Sequence, residues 1–160
     1  MYVDINKNAV LFYKALEDIW AAEQTYYGSP NISVYHCCQA VEKAMKGFMD
    51  CANTDYSHNS HNLLELLRKL EEGDLLDESL VALVNDMSMY DQNLRYKNMR
   101  NDPTVHDAKQ AVLTSSSFVT EIGKHEKCSQ FMNEAKEVHE KMLAKGCKVH
   151  NDNCGQRVCK

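Results

Sequence analysis

The chain is poor in the two residues that most often interrupt helices, since its 160 residues include only two prolines and six glycines. Leucine, alanine, lysine, glutamate and methionine are common instead, and this composition predicts an all-α protein. Long apolar runs are also missing, because none approaches the roughly 20 residues of a membrane span. The first residues, MYVDINKN, show no basic segment followed by an apolar one, so we expect no signal peptide and a cytoplasmic location.

A surplus of positive charge is likewise absent. The formal net charge of −5 argues against a protein that coats nucleic acid through its overall charge. One basic segment remains, because residues 95–100, RYKNMR, contain three positive charges and no negative one. Any contact with nucleic acid is therefore expected to be local.

The seven cysteines are an odd number and are spread unevenly. Cys37 and Cys38 lie in an apolar helical pattern, where cysteine behaves as a small hydrophobic residue. This distribution is unlike a secreted disulfide framework. A chain of this length buries roughly 70% of its unfolded surface, so its fold requires neither a disulfide nor a metal.

A buried central helix is predicted from about residue 31 or 33 to about Cys51. Its apolar residues recur at steps of three and four, which places them on one helical face. The residues on that face are Val34, Cys37, Cys38, Val41, Met45 and Phe48. Such a helix needs other helices around it.

Apolar periodicity predicts those helices on both sides of the central one. Asp4 or Asn6 is expected to cap the first helix, Ser60 the third, and Asp102 with Pro103 the fifth. The predicted helices span residues 6–26, 61–73, 77 to about 96–101 and 103–124. A weaker, peripheral helix follows, which includes residues 131–142 and ends at Gly146.

Four segments resemble, in their order and spacing, the HEPN family of small helical-bundle domains. They are QAVEKA at residues 39–44 with Lys46, HNL at 61–63, LRY at 94–96 and the helix DAKQAVLTSSSFV. The resemblance covers about residues 5–124 and implies an antiparallel up-and-down bundle of four to five helices. The expected domains are a HEPN-like bundle at 1–125, a peripheral helix at 126–146 and a Cys/His-containing tail at 147–160.

The resemblance also implies partners. HEPN domains are often paired with minimal nucleotidyltransferases in toxin–antitoxin-like systems, and they dimerise side by side with a polar groove at the interface. We therefore expect a homodimer, a nucleotidyltransferase partner, and a nucleotide or RNA as ligand. Apolar side chains available for such an interface are those of Tyr26, Tyr27, Met87, Met89 and Tyr90.

Many family members are metal-independent RNases that use an arginine, a polar residue beside it and a histidine four to six residues further on. Arg100, Asn101 and His106 match this pattern, with five residues between the arginine and the histidine. The resemblance thus implies a catalytic role for these three residues. The branch with the QAVEKA motif more often has Arg-Tyr-Pro and no such histidine; this chain has Arg95-Tyr96-Lys97, so two arginines compete for the position.

RNA cleavage by a 2′-OH needs a group that moves a proton near neutral pH and a fixed cation for the charge on the phosphate. On one continuous helix Arg100 and His106 would lie about 240° apart. The helix break at Pro103 allows a tight corner that aims both into one groove. Arg95 and Lys97 would hold neighbouring phosphates. The alternative is that these residues have no catalytic role: the arginine ends one helix, and the histidine is a solvated residue at the start of the next helix.

A second set of residues lies on the central helix. Gln39, Lys43 and Lys46 are candidates for nucleotide or RNA contacts, together with Arg95, Tyr96 and Lys97 at the other site. The pairing of Glu42 with Lys46 one turn later is ordinary for a helix surface. A structural or interface role for this set is the favoured alternative.

The tail offers four soft metal ligands in a short stretch. Cys147, His150, Cys154 and Cys159 provide the number of groups that a tetrahedral structural zinc needs. The alternative is a tail with free thiols, which is the expectation we favour. No other cofactor is expected.

Three classes of function therefore remain. The chain is a nucleotide- or nucleic-acid-associated module acting with a nucleotidyltransferase, a metal-independent endoribonuclease, or a purely structural helical interaction module. The pair Arg100 and His106 separates the first two classes.

Overall fold

The structure is a computed structural model that describes residues 4–73, 77–95 and 102–154, without the side chains of 92–95 and 146–154. These residues form helices and no strand, which confirms the all-α prediction. None of these helices is long and apolar enough to cross a membrane. The helices are α1 (Val10–Thr25), α2 (Pro30–Cys51), α3 (Leu63–Glu72), α4 (Glu78–Arg95), α5 (Val105–Lys124) and α6 (Ser129–Cys154).

Helix α2 is the centre of the bundle, as its periodicity predicts. It packs against α1, α3, α4 and α5. Its predicted apolar face is buried, and the two bulkiest members of that face are Met45 and Phe48. Burial extends beyond this face to Glu42 and Lys46, because helices cover α2 on more than one side.

Helices α1 and α2 form an antiparallel hairpin. The Ser33 hydroxyl near the start of α2 donates to the Ala22 carbonyl near the end of α1, at 2.8 Å. At the other end, Gly47 lies against the Phe12 ring so closely that a Cβ atom would be 2.8 Å from Phe12 Cε1. Glycine at residue 47 thus permits the close approach of the two helices.

Helix α5 runs in the same direction as α2. Lys109, near its start, contacts Tyr27 just before α2. At its far end, the His125 ring packs against Phe48 near the end of α2, with ring centroids 4.7 Å apart. The start of α5 therefore lies at the end of the bundle that also carries the α1–α2 turn.

Helix α6 packs its first half into the same core. Cys128, Met132 and Ala135 are buried against the bundle, and the helix contacts α1 and α5. The prediction that Gly146 ends this helix is wrong, because the backbone stays helical to Cys154. A glycine inside a helix costs only about 0.5–1 kcal/mol and does not by itself end it.

Two predicted helix caps differ in the structure. Asn62, not Ser60, caps α3, since its side-chain oxygen accepts from the Leu64 and Glu65 amides at 3.0 and 3.3 Å. The residue before α1 is Ala9, which makes no side-chain cap. Asparagine and serine are equally good caps, so the cap alone cannot fix a boundary to two residues.

The start of α5 is also shifted from its prediction. Thr104 is the N-cap rather than Asp102, and it forms a capping box with Asp107. The Thr104 hydroxyl accepts from the Asp107 amide at 3.1 Å, and the Asp107 carboxylate accepts from the Thr104 amide at 2.9 Å. The amides of Thr104 and Asp107 each donate a hydrogen bond to the other residue's side chain. This capping box favours a helix that starts after Thr104 over one that starts at Pro103.

Candidate functional site

The predicted catalytic segment lies where α4 leads into α5. Arg95 is the last residue of α4, and its side chain is not among those described. Tyr96, Lys97, Arg100 and Asn101 lie outside the described residues, so their roles stay predictions.

His106 is the described member of the predicted catalytic set. It is the second residue of α5, as expected for the first turn of a helix that follows a corner, and its side chain is exposed. Its neighbour Asp107 has a lowered pKa, because the backbone and hydroxyl of Thr104 donate hydrogen bonds to its carboxylate, with a smaller contribution from His106. The imidazole of His106 is accordingly open to a ligand from solvent.

An aromatic pair lies beside this turn of α5. The rings of Tyr26 and Tyr27 stack with centroids 4.6 Å apart. Lys109 Nζ lies 4.9 Å from the Tyr27 centroid and 5.6 Å from that of Tyr26. The tyrosines were expected at an interface, but no sequence signal links them to Lys109, which is 82 residues away from Tyr27.

Lys46 is held in a buried ion pair. Its ammonium donates to Glu42 Oε1 at 2.9 Å and to the His58 carbonyl at 3.0 Å. The His61 ring contacts the same Glu42 oxygen at 2.9 Å, through Nδ1. These bonds connect α2 to the segment before α3, which gives Lys46 a structural role. The predicted contact of Lys46 with a nucleotide stays a prediction.

Lys43 belongs to a second ionic cluster, between α1 and α2. The Asp18 carboxylate is mostly buried and accepts from Lys43 Nζ. Its other oxygen lies 2.8 Å from His36 Nδ1. This cluster was not predicted, because a contact between residues 18 and 43 leaves no trace in the local pattern of either helix.

Gln39 lies on the outer side of α2 and is half-buried. Ile32 and Tyr35 are on the same side, at steps of three and four residues. Their exposed fractions are 50% and 52%, which is high for apolar side chains. This exposed face of α2, formed by Ile32, Tyr35 and Gln39, is named the outer face below.

Three of the four described thiols, those of Cys37, Cys38 and Cys128, are buried in the bundle. Burial raises the pKa of Cys37 to about 11, so its thiol stays protonated at neutral pH. Cys38 and Cys128 are buried too, as expected of small hydrophobic residues. A hydrogen bond with Cys128 lowers the pKa of Cys51, which places the end of α2 against the start of α6.

The predicted metal ligands of the tail are not tested. The side chains of Cys147, His150 and Cys154, and the whole of Cys159, lie outside the described residues. Elsewhere, in residues 4–73, 77–91 and 102–145, no three His, Cys, Asp or Glu side chains are grouped to hold a metal ion.

The fold and the site together define a small helical-bundle domain with a histidine exposed in the first turn of α5. Family comparison agrees, since the HEPN domain matches residues 9–144. The chain therefore belongs to the HEPN family. Comparison with curated proteins and with solved structures found no match. The match continues past residue 124, so it includes the packed half of α6.

Proposed function

We propose that this HEPN-family chain is a metal-independent endoribonuclease whose reaction takes place at the α4–α5 corner. The observation that supports this most is the exposed position of His106 in the first turn of α5. It follows directly on the segment that carries Arg100 and Asn101. A histidine in solvent at a helix start suits a group that exchanges protons with a substrate near neutral pH.

In the proposed reaction, His106 takes the proton from a ribose 2′-OH. The 2′-oxygen bonds to the adjacent phosphorus, and the bond from phosphorus to the 5′-oxygen breaks. The imidazolium returns the proton to that 5′-oxygen, which leaves a 2′,3′-cyclic phosphate and a 5′-hydroxyl end. Arg100 stabilises the charge on the phosphate oxygens, and Asn101 hydrogen-bonds to them.

The competing arginines supply a matched test. Purified protein is incubated with single-stranded RNA in excess chelator, beside Arg100→Ala and Arg95→Ala. We expect cleavage to fall by about 100-fold or more in Arg100→Ala, since one electrostatic donor contributes that much, and to fall much less in Arg95→Ala. The reverse order would assign the role to Arg95. Equal cleavage by all three proteins contradicts the proposal.

A second candidate function is a partner module for a minimal nucleotidyltransferase in a toxin–antitoxin-like system. The outer face favours it, because Ile32 and Tyr35 expose apolar area while nearby Lys43 is engaged by Asp18. Such a surface suits contact with protein better than contact with a nucleotide phosphate.

The same face suits a homodimer, and one experiment separates the two partners. Wild type and Tyr35→Glu are compared by size-exclusion chromatography with light scattering, alone and with a purified minimal nucleotidyltransferase. A dimer that dissociates in Tyr35→Glu supports self-association. A complex that forms only with the nucleotidyltransferase supports the partner module. A monomer that binds neither contradicts both uses of the outer face.

A further inference from the structure

We infer that Tyr27 and Lys109 form a subsite that binds a base and a phosphate of single-stranded RNA next to His106. This subsite rests on the proposed function, since it would hold the strand beside the histidine that moves the proton. It also specifies the substrate, because it requires unpaired bases.

The geometry starts from the turn between α1 and α2. The Tyr26 side chain packs against the core, and the Tyr27 ring stacks on it at an interplanar angle of 35°. Tyr27 itself is 69% exposed, the largest exposed fraction among the exposed large hydrophobic residues described. The partly buried Tyr26 ring therefore holds the exposed Tyr27 ring in place. A fixed, exposed aromatic ring is a surface on which an unpaired base can stack.

Lys109 adds a positive charge over this ring, with its Nζ 4.9 Å from the Tyr27 centroid. Its Nζ lies 3.4 Å from the Tyr27 hydroxyl, and among the described residues it makes no ion pair with a carboxylate. Its charge is thus available to a phosphate. The nearest carboxylate along α5, that of Asp107, is occupied by the capping box with Thr104.

His106 and Lys109 are three residues apart on α5. Residues at this spacing are neighbours on a helix surface, with about 5–6 Å between their Cβ atoms. The exposed imidazole and the ammonium are therefore neighbours on α5, and the ammonium reaches the Tyr27 ring of the α1–α2 turn. A strand whose base stacks on Tyr27 would place its backbone along Lys109 toward His106.

Single-stranded RNA is the ligand that uses all three groups. Stacking on an aromatic ring is available to every base once it is unpaired, and it is absent when bases are stacked inside a duplex. A lysine beside the ring contacts the backbone phosphate and makes the affinity depend on salt. We therefore expect little preference for base sequence and weak binding of double-stranded RNA.

Binding is measured separately from cleavage. The probe is a fluorescent single-stranded 2′-O-methyl RNA, which lacks the attacking 2′-hydroxyl and stays intact. Its affinity is determined by anisotropy for wild type, Tyr27→Leu, Tyr27→Trp and Lys109→Gln. Trp20→Leu is the matched control, because it removes another exposed aromatic ring from α1. Helicity and melting temperature are recorded for each protein.

We expect Tyr27→Leu to weaken binding about tenfold and Tyr27→Trp to preserve it, because stacking needs only a ring. Lys109→Gln should reduce the slope of log affinity against log salt by about 0.7. Trp20→Leu should bind as wild type does. Undiminished affinity in Tyr27→Leu, or a wild type that does not bind the probe, overturns the subsite.

The two proposals fail in different ways. Tight, ring-dependent binding without cleavage of ordinary RNA supports the subsite and contradicts the nuclease. Cleavage that disappears in His106→Ala while Tyr27→Leu keeps wild-type KM and affinity supports the nuclease and overturns the subsite.

Discussion

Lys46→Met tests whether the buried ion pair between Lys46 and Glu42 stabilises the fold. Both residues lie in α2, the helix that carries the QAVEKA motif. Lys46 and Glu42 form the most buried ion pair among the described residues, with side chains 8% and 5% exposed. Removal of one partner of a buried pair destabilises by about 3–5 kcal/mol, since the remaining charge has lost its compensation. The lost hydrogen bond to the His58 carbonyl adds about 1 kcal/mol. Because the His61 ring still contacts the Glu42 carboxylate in this variant, we expect the low end of the range for the pair and, with the lost hydrogen bond, a total loss of about 4 kcal/mol.

The assay is urea unfolding followed by circular dichroism. With an m-value of about 2 kcal/mol per molar urea, the unfolding midpoint should fall by about 2 M. Lys69→Met is the control, because Lys69 and Glu72 form an exposed pair, with side chains 46% and 68% exposed. Its free energy of unfolding should stay within about 0.5 kcal/mol of wild type.

A double variant distinguishes two causes of the destabilisation in Lys46→Met, an uncompensated buried charge and lost packing. Glu42→Leu combined with Lys46→Met removes both charges and keeps apolar volume, so it should recover most of the stability that Lys46→Met loses. The exposed His61 ring, which loses its Glu42 contact, is solvated by water instead. A Lys46→Met protein that loses less than about 1 kcal/mol refutes the structural role of the pair.

Two further predictions concern the helix ends and the helix contact. Gly47→Ala should destabilise by about 1–3 kcal/mol in urea unfolding, because its Cβ meets the Phe12 ring, whereas Gly28→Ala has nothing within 4 Å and should not. Thr104→Ala should cost about 1 kcal/mol through loss of the capping box. The lowered pKa of Asp107 means that its bonds stabilise the fold above about pH 4 and are lost as the pH falls further. The loss of unfolding free energy below about pH 4 should therefore be smaller in Thr104→Ala than in wild type. The same pH dependence in both proteins would contradict the role of the Thr104 hydroxyl in lowering the pKa of Asp107.

The helical core was predictable because its signal is local. Val34, Met45 and Phe48 repeat at helical spacing, and the structure buries all three. Helix ends were less predictable, since Ser60 and Asn62 are both good caps and only the backbone geometry selects between them. The end of α6 was misplaced because Gly146 is a weak stop when no cap motif follows it.

The surroundings of the site were harder to foresee, because they depend on contacts between distant residues. Lys43 was recognised on its helix, but its partner Asp18 lies in α1. Lys109 meets Tyr27 only because α5 runs alongside the α1–α2 hairpin. The family resemblance pointed to His106 as a candidate, whereas the contact between Lys109 and Tyr27 became visible only in the fold.

The central claim is that His106 moves the proton in RNA cleavage. Its most direct test is the rate at which purified protein cleaves single-stranded RNA in excess chelator, for wild type, His106→Ala and His58→Ala. His58 is also exposed but lies near the C-terminal end of α2, away from the start of α5. The account predicts a loss of about 100-fold or more in His106→Ala, because general acid–base catalysis contributes at least that much, and a wild-type rate in His58→Ala. Equal rates in wild type and His106→Ala would contradict it.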